Sequence, residues 1–141
     1  MTVDVVDASV VAKWFLPERD SNEARALRDA YVDGAIDLCA PSAMPFEVAN
    51  ALRHSSMLDD THIEQSMDAV AAYGLDLFAF ADIPGIISLS IKEELPVYDA
   101  SYVALADHID GVCWTADQKL IDSLSSSAQT ATKHARDFEN P

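Results

Sequence analysis

Val3-Asp4-Val5-Val6-Asp7-Ala8 (VDVVDA) is the stretch from which the rest of the chain is read. Three valines in six residues favour extended backbone, and a short apolar run suits a strand covered on both faces. The run closes on a carboxylate, Asp7. An acid at the end of a buried central strand is costly without a partner. Outward from this strand, helix and strand signals alternate to the C-terminus. Ser9 to Phe15 predicts a helix that stops near Pro17. A second helix starts around Asn22, turns Ala24, Leu27 and Tyr31 inward, and ends at Gly34. IDLCAP, residues 36–41, predicts a strand, and Pro45 suits the first turn of a helix running through Leu52.

Thr61-His62-Ile63-Glu64 has the form of a capping box. The helix it opens carries Ile63, Met67, Val70 and Ala71 on its apolar face and stops at Gly74. LDLFAF, residues 75–80, predicts a strand. Pro84 opens a helix to about Glu94, and an Ala- and Leu-rich helix starts from Asp99 after Pro96. GVCWT, residues 111–115, predicts another strand with a short helix after it. Ser125-Ser126-Ser127 reads as a loop, and a last, polar strand is expected between Ala128 and Phe138. Strands alternating with helices predict an α/β fold with a mostly parallel sheet covered on both faces. In such sheets functional groups gather at the carboxyl ends of the strands.

The 141 residues fit one domain spanning 1–141. A chain of this size buries about 70% of its unfolded surface, so its core needs no disulfide. Cys39 and Cys113 each sit in an apolar run, without a CxxC partner, and read as buried thiols. The start MTVDVVDASV lacks the basic residues and apolar stretch of a leader, and no apolar run approaches the roughly 20 residues that span a bilayer. The expectation is a cytoplasmic, reduced protein with no membrane partner.

A formal charge of −15, from 24 Asp and Glu against nine Lys and Arg, runs against the basic surface that phosphate binding ordinarily uses. Three readings compete: a surface tuned for high salt, attraction of a basic protein partner, and a cation site that inverts the local charge. Composition does not choose among them.

Four carboxylates stand where the alternation places strand ends or helix starts: Asp7 in VVDAS, Glu47 in FEVANAL, Asp99 in VYDAS and Asp117 in WTAD. Gathered on one edge of a sheet they repel one another unless a hard cation, magnesium or manganese, neutralises them. Each also has a plain structural reading. Asp99 and Asp117 suit helix N-caps, and Glu47 suits the positive end of a helix. Ser9 and Thr115, two residues from Asp7 and Asp117, either support a carboxylate or cap a helix; Thr115-Ala116-Asp117-Gln118 fits a capping box. Asn50 falls one helical turn after Glu47 and either orients it or serves the helix alone. Lys13 reads as a phosphate contact or, more simply, as an exposed lysine, and Trp14, Phe15 and Trp114 as core or interface. The four histidines form no constellation and show no His–Cys zinc spacing.

The strings VDASVVAKWFLPE, FEVANAL, YDASYVALA and TADQKL, in this order, resemble the motifs of PIN-domain ribonucleases, in particular the toxin half of VapBC-type toxin–antitoxin pairs. The resemblance covers most of the chain and is weakest from Ser125 to Pro141. It implies a PIN-like three-layer sandwich of about five strands and an endoribonuclease that hydrolyses RNA with magnesium or manganese. It further implies Asp7, Glu47, Asp99 and Asp117 as catalytic residues, with Asp7, Asp99 and Asp117 as metal ligands. The partners it implies are a VapB-like antitoxin with a basic segment and a second copy of the chain. Rival readings are aspartate-based phosphoryl transfer and a non-catalytic module whose acidic cleft receives a basic partner. The phosphatase motif wants a second Asp where Ser9 stands, and the acidic pair and late lysine of a receiver domain have no match here.

Overall fold

A computed structural model describes residues 2–141. Five strands, β1 (Val3–Val6), β2 (Asp37–Pro41), β3 (Asp76–Phe78), β4 (Cys113–Thr115) and β5 (Thr132–His134), form one sheet in the order β3-β2-β1-β4-β5. Every pairing is parallel: Val5 lies opposite Cys39 of β2 on one side and Cys113 of β4 on the other. The helices are α1 (Ala8–Ala12), α2 (Ser21–Val32), α3 (Met44–His54), α4 (Asp60–Tyr73), α5 (Ile86–Glu93), α6 (Val97–Ile109), α7 (Gln118–Ser123) and α8 (Ser126–Thr130).

The chain winds from β1 out to β3 and then returns through α5 and α6 to β4 on the far side of β1. Right-handed crossovers therefore put the helices before β3 on one face and α6 on the other. α6 rests on β1, β2 and β4, and its segment from Ala100 to Ala106 is buried throughout. Val5 and Val6 are fully buried, as a strand covered on both faces requires. The reversal of direction makes the crevice between the carboxyl ends of β1 and β4 the switch point of the sheet.

The β1–β4 seam is pinned by a buried acid at its opposite end. Asp4 accepts hydrogen bonds from the Val112 amide and the Trp114 indole, both at 3.0 Å. Gly111 lets the strands approach there: a Cβ at this position would fall 2.3 Å from the Val3 carbonyl oxygen.

Several expectations are corrected. α4 is capped by Asp59, whose carboxylate accepts from the His62 amide, and not by Thr61, which lies inside the helix. On that helix only Val70 is fully buried, and Ala71 is exposed. α1 ends at Ala12, and Lys13 to Phe15 form a turn. α6 begins at Val97, two residues before Asp99. Phe80 belongs to a short 3-10 turn beyond β3. Ser125-Ser126-Ser127 is not a loop: Ser125 precedes α8 and the other two serines open it. Among the described residues no helix is long and apolar enough to cross a membrane.

Candidate active site

Asp7 follows β1 directly and sits at the switch point, with 7% of its surface exposed. Its Oδ2 accepts two hydroxyl hydrogen bonds, from Ser9 at 2.6 Å and from Thr115 at 2.8 Å. Neither hydroxyl caps a helix. Ser9 lies inside α1 and its Oγ also accepts the Ala116 amide at 3.0 Å; Thr115, fully buried at the end of β4, accepts the Asp117 amide at 3.1 Å. Asp7, Ser9, Thr115 and the backbone of residues 116 and 117 thus form one network across the ends of β1 and β4.

Asp117 caps α7 itself, its Oδ1 accepting from the amides of Lys119 at 3.0 Å and Leu120 at 3.4 Å. The cap and the site readings coexist, because one carboxylate oxygen serves the helix and the other stays clear of it. Asp99 caps nothing: it stands in the first turn of α6, half-buried. Glu47 stands in the first turn of α3, also half-buried. Its Oε1 accepts the hydroxyl of Tyr102 at 2.8 Å, joining α3 to α6. Asn50 is exposed, and among the described residues its side chain makes no hydrogen bond to Glu47. The residue that holds Glu47 is Tyr102, which sequence reasoning missed. Its one signal was a place one turn after Asp99 on the same helix face.

The carboxylates feel one another. Burial raises the Asp7 carboxyl above its ordinary value; the Ser9 and Thr115 hydrogen bonds oppose this, and the Asp117 charge adds to the rise. Glu47 is raised first by burial, then by Asp7 and Asp99, against the lowering from Tyr102. Asp99 is raised by burial, Asp7 and Asp117. The structure therefore brings Asp7, Glu47, Asp99 and Asp117 into one electrostatic cluster, graded from buried Asp7 to exposed Asp117.

Among the described residues no three His, Cys, Asp or Glu side chains close into a cage around a cation. Magnesium does not require one: it keeps several waters and binds through one or two carboxylates together with phosphate oxygens. An all-oxygen donor set, its carboxyls raised first by burial and then by one another's charge, fits a hard divalent ion of this kind. Lys13 is not the exposed lysine expected: its side chain is 17% exposed, donating to the Arg19 carbonyl at 2.8 Å with Glu18 at 3.7 Å. Cys39 and Cys113 are buried free thiols; burial pushes the Cys39 thiol up to about 12 and raises Cys113 as well, so both are inert.

No family model matches the chain. Among solved structures, the crystal structure of PAE2754 from Pyrobaculum aerophilum superposes with a TM-score of 0.68, covering 95% of this chain and 84% of that one; at 18% identity it speaks for the fold alone. Ribonuclease VapC3 of the same organism is 33% identical over 127 residues, which span 85% of this chain and 93% of that protein. With a relative this similar over this much of both chains, the protein belongs to the VapC-type family of PIN-domain ribonucleases.

Proposed function

We propose that the protein is a magnesium- or manganese-dependent endoribonuclease, the toxin of a VapBC-type pair. It works in the cytoplasm as a homodimer and is restrained by an antitoxin with a basic segment. The observation that carries this reading is Asp7, a buried carboxylate at the switch point of the sheet, gripped by two hydroxyls within a cluster of four acids. A divalent cation held by Asp7, Asp99 and Asp117 would neutralise the phosphate and acidify a nucleophilic water.

The side chains divide the remaining work. Ser9 and Thr115 both donate to Asp7, so they hold it as an acceptor with a fixed orientation. Asp117 is steered by the start of α7. Glu47, raised in proton affinity and oriented by Tyr102, takes the proton of the attacking water. The same cluster answers the charge problem, because a cation joins an acidic pocket to an acidic substrate.

The test is incubation of the purified protein with RNA, with manganese or with chelator. Asp7→Asn and Asp99→Asn should each lower metal-dependent cleavage at least about a hundredfold while the fold survives. Burial raises Asp7, so its ionised form opposes folding. That penalty is absent below the ordinary carboxylate range, grows as pH rises from the ordinary value to the raised folded one, and is complete above it. At neutral pH in chelator, Asp7→Asn should therefore unfold no earlier than wild type. Manganese should stabilise wild type more than either variant. Normal cleavage by either variant sinks the assignment of these residues. RNA left intact by wild type in every arm leaves the non-catalytic module as the better reading.

A further inference from the structure

An RNA-cleaving protein with a charge of −15 gains little from counterion release, so its hold on substrate needs contacts that salt does not screen. Two exposed aromatic side chains stand next in sequence to the site carboxylates. Phe46, 80% exposed, immediately precedes Glu47 in the first turn of α3. Tyr98, 62% exposed, immediately precedes Asp99 in the first turn of α6. The two helix starts are linked through Glu47, which accepts the hydroxyl of Tyr102 from α6 and feels the charge of Asp99. Tyr102 lies one turn after Tyr98, on the same stripe of α6, and its hydroxyl reaches Glu47 at 2.8 Å. The other aromatic rings serve the core or lie apart from the cluster: Trp14 and Trp114 are buried against Tyr73 and Phe138, and Phe80 lies past the edge strand β3.

Resting on the ribonuclease reading above, we propose that Phe46 and Tyr98 are a stacking platform that positions unpaired bases beside the scissile phosphate. Every base has a π-face, so such a platform holds RNA without sequence demands and without basic residues. It leaves the carboxylates to the phosphate and makes these two residues determinants of substrate position and strandedness.

The test compares wild type with Phe46→Ala and Tyr98→Ala, and with Phe46→Trp and Tyr98→Phe, on a short single-stranded RNA and on a hairpin of the same sequence. The alanine variants should raise KM about tenfold or more with little change in kcat, and the aromatic replacements should restore it. A 2-aminopurine beside the cleavage position, read in chelator so that nothing turns over, should be quenched by wild type and by the aromatic variants but not by the alanine variants. Wild type should prefer the single strand. Unchanged KM and undiminished quenching in both alanine variants overturn the platform while the ribonuclease reading stands. A shift in oligomeric state with unchanged KM assigns the rings to a protein interface and also overturns it. Wild type that cleaves no RNA removes the ribonuclease reading and the platform with it.

Discussion

Tyr102 is fully buried, yet its hydroxyl is committed to Glu47. Tyr102→Phe removes that bond and little else. Glu47 is half-buried, so water can replace the lost donor, and the stability cost should be about 1 kcal/mol. The pH effect is the sharper readout. The Tyr102 hydrogen bond lowers the Glu47 pKa against burial and the charges of Asp7 and Asp99. Without it the folded pKa rises further, and a Glu47 that acts as base is ionised only at higher pH. The acid limb of the kcat/KM profile should move upward, as a property of the coupled cluster and not of Glu47 alone. An unmoved acid limb counts against Glu47 as the base. The four acids were readable because each follows a strand or opens a helix, places that the apolar pattern marks. Tyr102 was not, because it meets Glu47 across 55 residues of chain and its own surroundings are simply apolar helix. Asn50 misled for the converse reason: helical spacing places it on nearly the same face as Glu47, but its side chain turns to solvent.

At the scale of elements, local signals succeeded where backbone chemistry is decisive and failed where tertiary contact decides. Gly74 adopts the left-handed conformation that ends α4, and Pro45 sits in the first turn of α3. Asp59, Asp60 and Thr61 can all cap a helix; which one does depends on where the chain enters, and Asp59 does. α8 is only five residues, three of them Ser or Thr, with Ser125 just before it held by the Glu93 carboxylate of α5 through its amide and hydroxyl. No local pattern announces such a helix. α5 also carries the surface argument for a second copy. Ile86 faces the core, while Ile87 and Ile91, one turn apart, are 49% and 74% exposed. Trp14, open from the sequence to a core or an interface role, is core: it is buried, and its indole donates to the Ala24 carbonyl at 2.9 Å. Ile91→Glu should shift sedimentation at micromolar concentration from dimer to monomer, with the circular dichroism of the folded chain retained. A wild type that sediments as a monomer removes the homodimer.

For the molecule as a whole, the charge of −15 and the acidic cluster bear on one partner. An acidic pocket calls for a basic plug. An arginine grips a carboxylate through two parallel hydrogen bonds, and in this cluster it would stand where the proposed cation would bind. The antitoxin segment is therefore expected to be Arg- or Lys-bearing and disordered until bound. Two consequences separate the global charge from the pocket. The net charge governs encounter, so association should slow steadily as salt rises and the Debye length, about 10 Å at 0.1 M, shortens. The buried contact governs departure, so dissociation should respond to the pocket and only weakly to salt. Asp7→Asn or Asp99→Asn removes one charge from the cluster and should speed dissociation at least about tenfold while leaving association nearly unchanged. Surface acids far from the cluster, such as exposed Asp33 in the turn before β2 at the opposite edge of the sheet, should show the opposite split when neutralised: slower association and the same dissociation. Kinetic binding traces of the cognate antitoxin across these variants, at two salt concentrations, read both limbs at once. If no cluster variant alters dissociation, the antitoxin binds elsewhere on the surface, and the plug is wrong even where the ribonuclease reading holds.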